Sequence, residues 1–475
     1  MELHVCRQVL NIERQGIYSL VKNLVRVIPG VEIKVVKEII PPAAYPSGVV
    51  ALLGTTEKGP TLEPTHVSTW KEFTENFGSG PNYTMTEDAK RCFQNGVFEV
   101  VVTRIIGAGG KNASLTLKDN KKAATVELQA KSVGEVGNEI KVKVEKGTTD
   151  KTVKLLITDG KIFEVFDNLA MDRKSERYLV NYVNQNSELV TAEDLKSGTP
   201  SPDNNPASGE DVLKGGKEPG PPSIEGFEAA LEKLESEPDV DMVLACDVAD
   251  PAIHAVVEAH CRNMSEEAMG RIGIGTVGKG EAIKDIVKRT ETLSSDRFVL
   301  VAPYGNVGAV AGLISRLSYF ESPTFKPVSG ISQLEVRYTP SQLRQLIKAG
   351  ILAMMAQRGR GIIVVKGITT SSEQISVVRT VDHAVRSVKA TGDLFIGTLN
   401  SPTGRSALKE KLTELLIRME REGSIVPSAD ETEPPFVLDV YSSNLDFAQG
   451  IVRVDLAVRP VRAIDYIYAT ITVQA

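Results

Sequence analysis

The chain has 475 residues, with 55 Lys and Arg against 61 Asp and Glu, a formal net charge of −6, 41% hydrophobic and 24% charged residues. That is the composition of a water-soluble protein long enough for about two to four cores. Aromatics are only 5% and basic residues are spread evenly, so the chain lacks the basic, aromatic-interleaved stretch that grips nucleic acid. It also lacks the run of about eighteen apolar residues needed to span a membrane. Arg7, Glu13, Arg14 and Lys22 interrupt any signal-peptide core, and an unexported chain is expected.

Residues 1–28 read as an N-terminal extension, with scattered apolar positions interrupted by Gly16. Residues 29–46 form an extended arm: Val31, Ile33 and Val35 alternate with Glu32, Lys34 and Val36, and the segment runs through Lys37 to Pro41-Pro42 with no partner strand nearby in sequence. At about 3.3 Å per residue, nine or ten extended residues reach roughly 30 Å, enough to lie on a neighbouring molecule.

Residues 47–106 and 224–356 are predicted to form one α/β domain. GVVALLGTTEKGP is a buried strand closed by a turn, TWKEFTENFG a short amphipathic helix, and Val97 to Ile106 a second strand. After residue 224, helices alternate with the strands VDMVLACD, RIGIGTV and RFVLVAP, and residues 341–355 read as one helix. Near-continuous apolar strands alternating with helices predict a mixed, largely parallel sheet with helices on both faces. Between these two segments, residues 107–200 run in short alternating strands and predict a small inserted all-β domain. Residues 201–223, rich in Gly, Pro, Ser and Asn, predict a flexible linker.

Residues 357–475 predict a C-terminal α+β domain. It holds a helix at 376–390, a long amphipathic helix from Thr403 to Glu422, the strand PFVLDVYS and two terminal alternating runs. In the first run Val452, Val454, Leu456 and Val458 share one side. In the second, Ile464, Tyr466, Ile467, Tyr468, Ile471 and Val473 lie in a strand with no following segment to cover it. Such an edge pairs within its own sheet or with another chain.

Candidate chemistry is sparse. Gly273-Ile-Gly275-Thr-Val-Gly278-Lys279 satisfies GxGxxG and nearly a phosphate-binding loop, but Gly280 stands where a hydroxyl would hold magnesium. A nucleotide-binding α/β enzyme using this loop is the alternative reading, and a strand-to-helix turn the plainer one. His254, His260, Cys261 and Cys246 lack the spacing of a metal site. Asp247, Asp250 and Glu258 lie near a strand end where open sheets bind ligands, Arg358 and Arg360 flank glycines in a turn, and no nucleophile has a neighbouring base. The expectation is no enzyme, no cofactor and no metal.

With PGVEIKVV, GVVALLGTTEKGP followed by TWKEFTENFG, AKSVGEVGNEIKVKVE, LSSDRFVLVAPYG, and RGRGIIVVKGITT through FIGTLNSPTGRSALKEKL in this order, the chain resembles the sheath subunits of contractile phage tails and contractile injection systems. The resemblance covers Pro29 to Ala475 and leaves the first residues without a counterpart. It implies a structural subunit that stacks as hexameric rings into a helical sleeve around a tail tube, and contracts to drive the tube through a cell envelope. Implied partners are other copies of the chain, the tube protein, and baseplate and tail terminator proteins, with no nucleic acid and no membrane. The implied location is the virion tail or injection particle, assembled in the host bacterial cytoplasm. The resemblance further implies that the N-terminal arm (Val31, Ile33, Val35, Lys37) and a C-terminal arm (Ile464 to Val473) add strands to neighbouring subunits. The receiving sheet would contain Ile362, Val364, Val452, Val454 and Leu456, with hinges at Pro41-Pro42 and Arg459-Pro460. Lys409, Lys411 and Arg418 on the long helix, interspersed with Glu410, Glu414, Glu420 and Glu422, are candidates for a tube-facing surface, the alternative being a mixed solvated face.

Overall fold

The computed structural model describes residues 48–466 and 468. The chain begins with β1 (Val49–Gly54), β2 (Thr65–Val67), helices α1 (Trp70–Phe77) and α2 (Thr84–Gln94), and β3 (Val100–Arg104). An excursion then holds β4 (Asn112–Lys118), β5 (Ala124–Val133), β6 (Lys141–Lys146), β7 (Val153–Thr158), β8 (Phe163–Leu169), α3 (Leu179–Asn186), β9 (Val190–Asp194) and β10 (Gly209–Val212). Alternation follows: α4 (Ile224–Leu234), β11 (Val240–Ala245), α5 (Pro251–Glu266), β12 (Ile272–Thr276), α6 (Ile283–Thr292), β13 (Phe298–Ala302), α7 (Val307–Arg316), β14 (Pro327–Val328), α8 (Pro340–Lys348), β15 (Leu352–Gln357) and β16 (Gly361–Val364). Last come α9 (Ile375–Asp393), α10 (Pro402–Arg421), β17 (Phe436–Tyr441), α11 (Asn444–Ala448) and β18 (Arg453–Val458).

Strands β1, β3, β11, β12 and β13 are buried along almost their whole length and mostly apolar because both of their faces are covered. They form the centre of a nine-stranded sheet of order β14-β16-β15-β13-β12-β11-β1-β3-β2. The six strands from β15 to β3 run parallel, and β16 and β2 antiparallel to their neighbours. Alternate residues feed two cores. Val50 and Leu52 pack with Phe73, Met85 and Leu313 from α1, α2 and α7; Val49, Ala51 and Leu53 pack with Phe227, Val257, Ile286 and Leu346 from α4, α5, α6 and α8. The helices begin where their sequences dictate: Asp250 caps α5 with Pro251 in its first turn, and Thr339 and Gln342 make a capping box on α8.

Three expectations change here. The helix read over 341–355 ends at Lys348, because Gly350 adopts φ +78 and the apolar run from Leu352 becomes β15. The boundary placed at 357 cuts the β15–β16 hairpin, in which Gln357 pairs with Gly361, so Arg358 and Arg360 occupy a turn inside the sheet. The excursion is not all-β. Its antiparallel sheets β10-β6-β7-β8 and β4-β5-β9 share a core with α3, through buried Leu179 and Val183.

The segment expected to be a flexible linker is ordered. β10 pairs with β6, Leu213 is fully buried, and the Asn205 side chain accepts from Met171 N–H (2.8 Å) and donates to Lys151 C=O (2.9 Å). Amide side chains, which a composition argument scores only as polar, here satisfy buried backbone groups.

After β16 the chain builds a smaller layer. Helix α10 is capped by Ser401, starts with Pro402, and turns Leu408, Leu412, Leu415, Leu416 and Met419 inward. The β17–β18 ribbon lies against it, with Phe436, Leu438, Leu456 and Val458 packed toward Leu416, Met419 and Ile425.

Candidate functional site

The nucleotide-loop reading fails on geometry. Gly273 and Gly275 lie within β12, not in a loop: a Cβ on Gly273 would meet Phe298 at 2.8 Å and Val257 at 2.9 Å, and one on Gly275 would meet His254 at 2.5 Å. These glycines admit neighbouring side chains. The backbone donors a phosphate would need are taken, Gly278 N–H by the Glu281 carboxylate (2.6 Å) and Gly280 N–H by Glu335 (3.0 Å).

At the carboxyl ends of β1 and β11, where the strand order reverses, there is a cleft of about 460 Å³ lined by Asp88, Arg91, Asp247, Lys279 and Tyr304. Its groups serve the fold. Asp88 accepts N–H bonds from Asp247 and Gly308, each 3.0 Å, tying the end of β11 to the first turn of α7, and Arg91 donates to Gly305 C=O. Asp250 is a helix cap, and Glu258 accepts from Ser295 Oγ at 2.9 Å. The histidines are likewise structural: His254 bonds Val248 C=O (2.9 Å) and His260 bonds Arg271 (2.9 Å), with burial pulling both rings down to about 4. Cys246 and Cys261 belong to cores on opposite faces of the sheet. Among the described residues no group of three or more His, Cys, Asp or Glu is placed to hold a metal ion.

The ribbon is the more informative feature. β17 and β18 pair over six registered positions, Phe436 with Val458 through Tyr441 with Arg453, and form a sheet of two strands among the described residues. Each has one long edge without a strand partner among those residues, while one face is anchored on α10. A two-stranded ribbon is marginal by itself; a helix beneath it supplies the stability and leaves the edges open for added strands. Val454 and Leu456 face α10, and Val452 stands just ahead of β18.

Ile362 and Val364 do not share this sheet. They lie on β16, between β15 on one side and residues 325–328 on the other, with both edges occupied. Ile362 and Val364 therefore do not share one sheet with Val454 and Leu456, as the sequence reading expected.

The hinge expected at Arg459-Pro460 is also corrected. Arg459 N–H bonds Pro435 C=O (2.9 Å), Arg459 C=O accepts from Val426 N–H (3.0 Å), and Val461 N–H bonds Ser424 C=O (2.9 Å). Further on, the Gln374 side chain holds both backbone groups of Ala463, and Lys366 bonds Asp465 at 3.3 Å with its ammonium 5.1 Å from the Tyr466 ring centre. The chain is moored through Tyr466, while Ile464, Tyr466 and Tyr468 remain exposed by 81%, 65% and 93%. Val31, Ile33, Val35, Lys37, Pro41-Pro42, Ile467, Ile471 and Val473 lie outside the described residues.

Of the three basic residues expected to face the tube, Lys409 pairs with Asp439 on β17 and Lys411 with Glu414, each at 3.1 Å, while Arg418 lies in the last turn of α10. Sequence reading passed over an apolar tip at the start of this helix. Leu394, Ile396 and Leu399 in the α9–α10 connection are exposed, as are Leu445, Phe447 and Ile451 in the turn of the ribbon, and Asn400 bridges the two segments through Ser442 Oγ and Ile451 C=O, each 3.3 Å away. Consecutive apolar residues next to Gly397 and Gly450 were the available signal.

The described residues thus combine a closed core on each face of the main sheet with a two-stranded ribbon whose outer edges have no strand partner among them. Residues 219–370 match the family model described as the phage tail sheath protein central domain. Over 241 residues the chain is 25% identical to the tail sheath protein of Bacillus phage SP01, covering 46% of this chain and 40% of that one. Over 295 residues it is 26% identical to the tail sheath protein of Staphylococcus phage Twort, covering 55% and 48%. The chain spans less than half the length of the curated relatives it matches. In fold it is similar to a sheath tail protein from Listeria innocua (TM-score 0.67, 16% identity, 88% of this chain and 93% of that one) and to the contracted helical sheath of the anti-feeding prophage (0.56, 14%, 94% and 99%). The chain is thus similar to phage tail sheath proteins over residues 219–370 and to sheath proteins in fold, and its resemblance to contractile tail sheath proteins holds.

Proposed function

We propose that the chain is the sheath subunit of a contractile tail or injection particle, stacked as hexameric rings around a tail tube and shortening to drive that tube through a cell envelope. Partners are further copies of itself, the tube protein, and baseplate and terminator proteins; the location is the particle, assembled in the host cytoplasm. The observation that carries the reading is the β17–β18 ribbon, held on α10 with both long edges open among the described residues. Arms from neighbours, Val31 to Lys37 and the run through Val473, add strands there, and main-chain bonds keep subunits linked while the bodies reorient. Contraction then draws on the difference between two packings of the same subunits, and no nucleotide takes part in it. The tube-facing surface belongs to the last layer, with Lys409, Lys411 and Arg418 along α10 and the apolar tip at that helix's start as its candidates.

The test is assembly of truncated chains, followed by electron microscopy. Chains lacking residues 1–40, or ending at Arg462, stay folded and monomeric while the full chain forms hollow striated cylinders. Normal cylinders from both truncations overturn the arm assignment. ATP and NAD leave the melting temperature of the full chain unchanged; a rise abolished by Lys279→Ala would restore the enzyme reading.

A further inference from the structure

Gly48, where the described chain enters β1, is held more tightly than a strand end requires. Its φ of +104 and a Cβ position that collides with Ser315 C=O admit only glycine. Its N–H donates to the Asp241 carboxylate and its C=O accepts from the Ser315 hydroxyl, so both backbone groups are fixed by side chains before strand pairing begins. Asp241 in turn accepts from Arg386, a residue of α9 that is 5% exposed and also donates to Val240 C=O (2.7 Å) and Gly270 C=O (2.5 Å). Two further buried contacts rivet the same helix to the body. Arg379 donates to Ile314 C=O (3.0 Å), Leu317 C=O and Ser318 C=O (both 3.3 Å) at the end of α7, and Asp382 pairs with Arg297 at 2.6 Å. Helix α9 thereby bonds to the leading ends of β11, β12 and β13, reaches Gly48 through Asp241, and continues into the layer that bears the ribbon.

We propose that Gly48, Asp241 and Arg386 form a mechanical clasp, which passes tension entering the chain ahead of β1 directly to α9 and so to the ribbon-bearing layer. Without it, a pull along the arm would fall on the first backbone bonds of β1, which break in succession. With it, the pull is shared by a charge-assisted network across the leading ends of β1 and β11 and passes into α9. This rests on the sheath reading for its purpose but not for its existence.

The experiment is single-molecule pulling of the isolated full chain between its two termini, with hydrogen exchange on the same proteins. Expected are a first rupture force lowered by about a third or more in Asp241→Asn and in Arg386→Met, no further fall in the double variant, and at least about tenfold faster exchange at Gly48 and Val49 with unchanged protection in β12. Arg386→Lys, which keeps the charge and loses the fork, falls between. If Arg386→Met does not fold, Asp241→Asn, which keeps the side-chain shape, gives the same reading. First rupture at wild-type force in Asp241→Asn, or additive losses in the double variant, overturns the clasp. Both results are independent of whether the truncated chains form cylinders.

Discussion

On the inner face of α2, burial pushes the Asp88 carboxyl up to about 6 from 3.8. The ionised form is needed to accept from Asp247 and Gly308, yet it is the form that burial disfavours. A carboxyl whose folded value lies above its unfolded one binds more protons in the folded state between the two values. Stability is therefore greatest below about 4 and falls as pH rises to about 6, by about 3 kcal/mol for a shift of this size. Urea denaturation across pH 4 to 7 of the wild type and Asp88→Asn should differ in slope over that interval, the variant lacking the fall. Parallel curves would show that Asp88 titrates as an ordinary carboxyl. Nearby Cys92 and Cys246 are buried with thiols pushed well up, which suits inert packing and not redox chemistry.

At the level of elements, α10 decides whether the ribbon exists. Leu416 is fully buried against Met419, Ile425 and Tyr319, and half-buried Leu438 and Leu456 complete the contact. Leu416→Ala should cost about 3 kcal/mol locally, by lost burial and a cavity. The exchange of β17 and β18 amides should rise together, while β1 and β11, in separate cores, keep their protection. Uniform loss across both layers would mean that the ribbon is no separable unit. Helix α9 joins the layers both through Ile375 and Val378, buried in the main core, and through directed bonds from Arg379, Asp382 and Arg386 that hold orientation.

On the scale of the whole molecule, the excursion joins the main sheet at a narrow neck. Lys111 and Lys217 exchange two backbone hydrogen bonds of 3.0 Å, so its two ends lie side by side. Replacing residues 112–216 with a short Gly-Ser link should leave a cooperative fold. The cost is about 1–3 kcal/mol, since buried Arg104 loses Val133 C=O, bonded at 3.0 Å, and keeps Gly59 C=O. Circular dichroism and a single melting transition check this; an unfolded product would make the excursion integral to the sheet. At the opposite extreme, Ile396→Asp with Leu399→Asp changes side chains exposed by 80% and 85%, so monomer stability should move by less than about 0.5 kcal/mol. Co-assembly with tube protein should fall at least about tenfold, as expected for apolar anchors lost from an interface; wild-type co-assembly would remove the tip from the tube-facing surface.

Period and apolarity carried the sequence reading a long way. Strands such as VVALLG and FVLVA announce burial on both faces, and the alternation of Val454, Leu456 and Val458 shows a one-sided strand, because each signal is written within a few neighbouring residues. What only the tertiary structure decided depends on pairs far apart in the chain. Gly273 and Gly275 read as a loop until Phe298 and His254 are seen filling the space. Ile362 reads as an open receiving strand until residues 325–328 occupy its other edge, and Arg459-Pro460 reads as a hinge until Val426 and Pro435 bond it from both sides. The Asp241–Arg386 contact spans 145 residues. Local periodicity reports which face is buried; a partner's identity is set by packing between distant segments, and no window of sequence contains both.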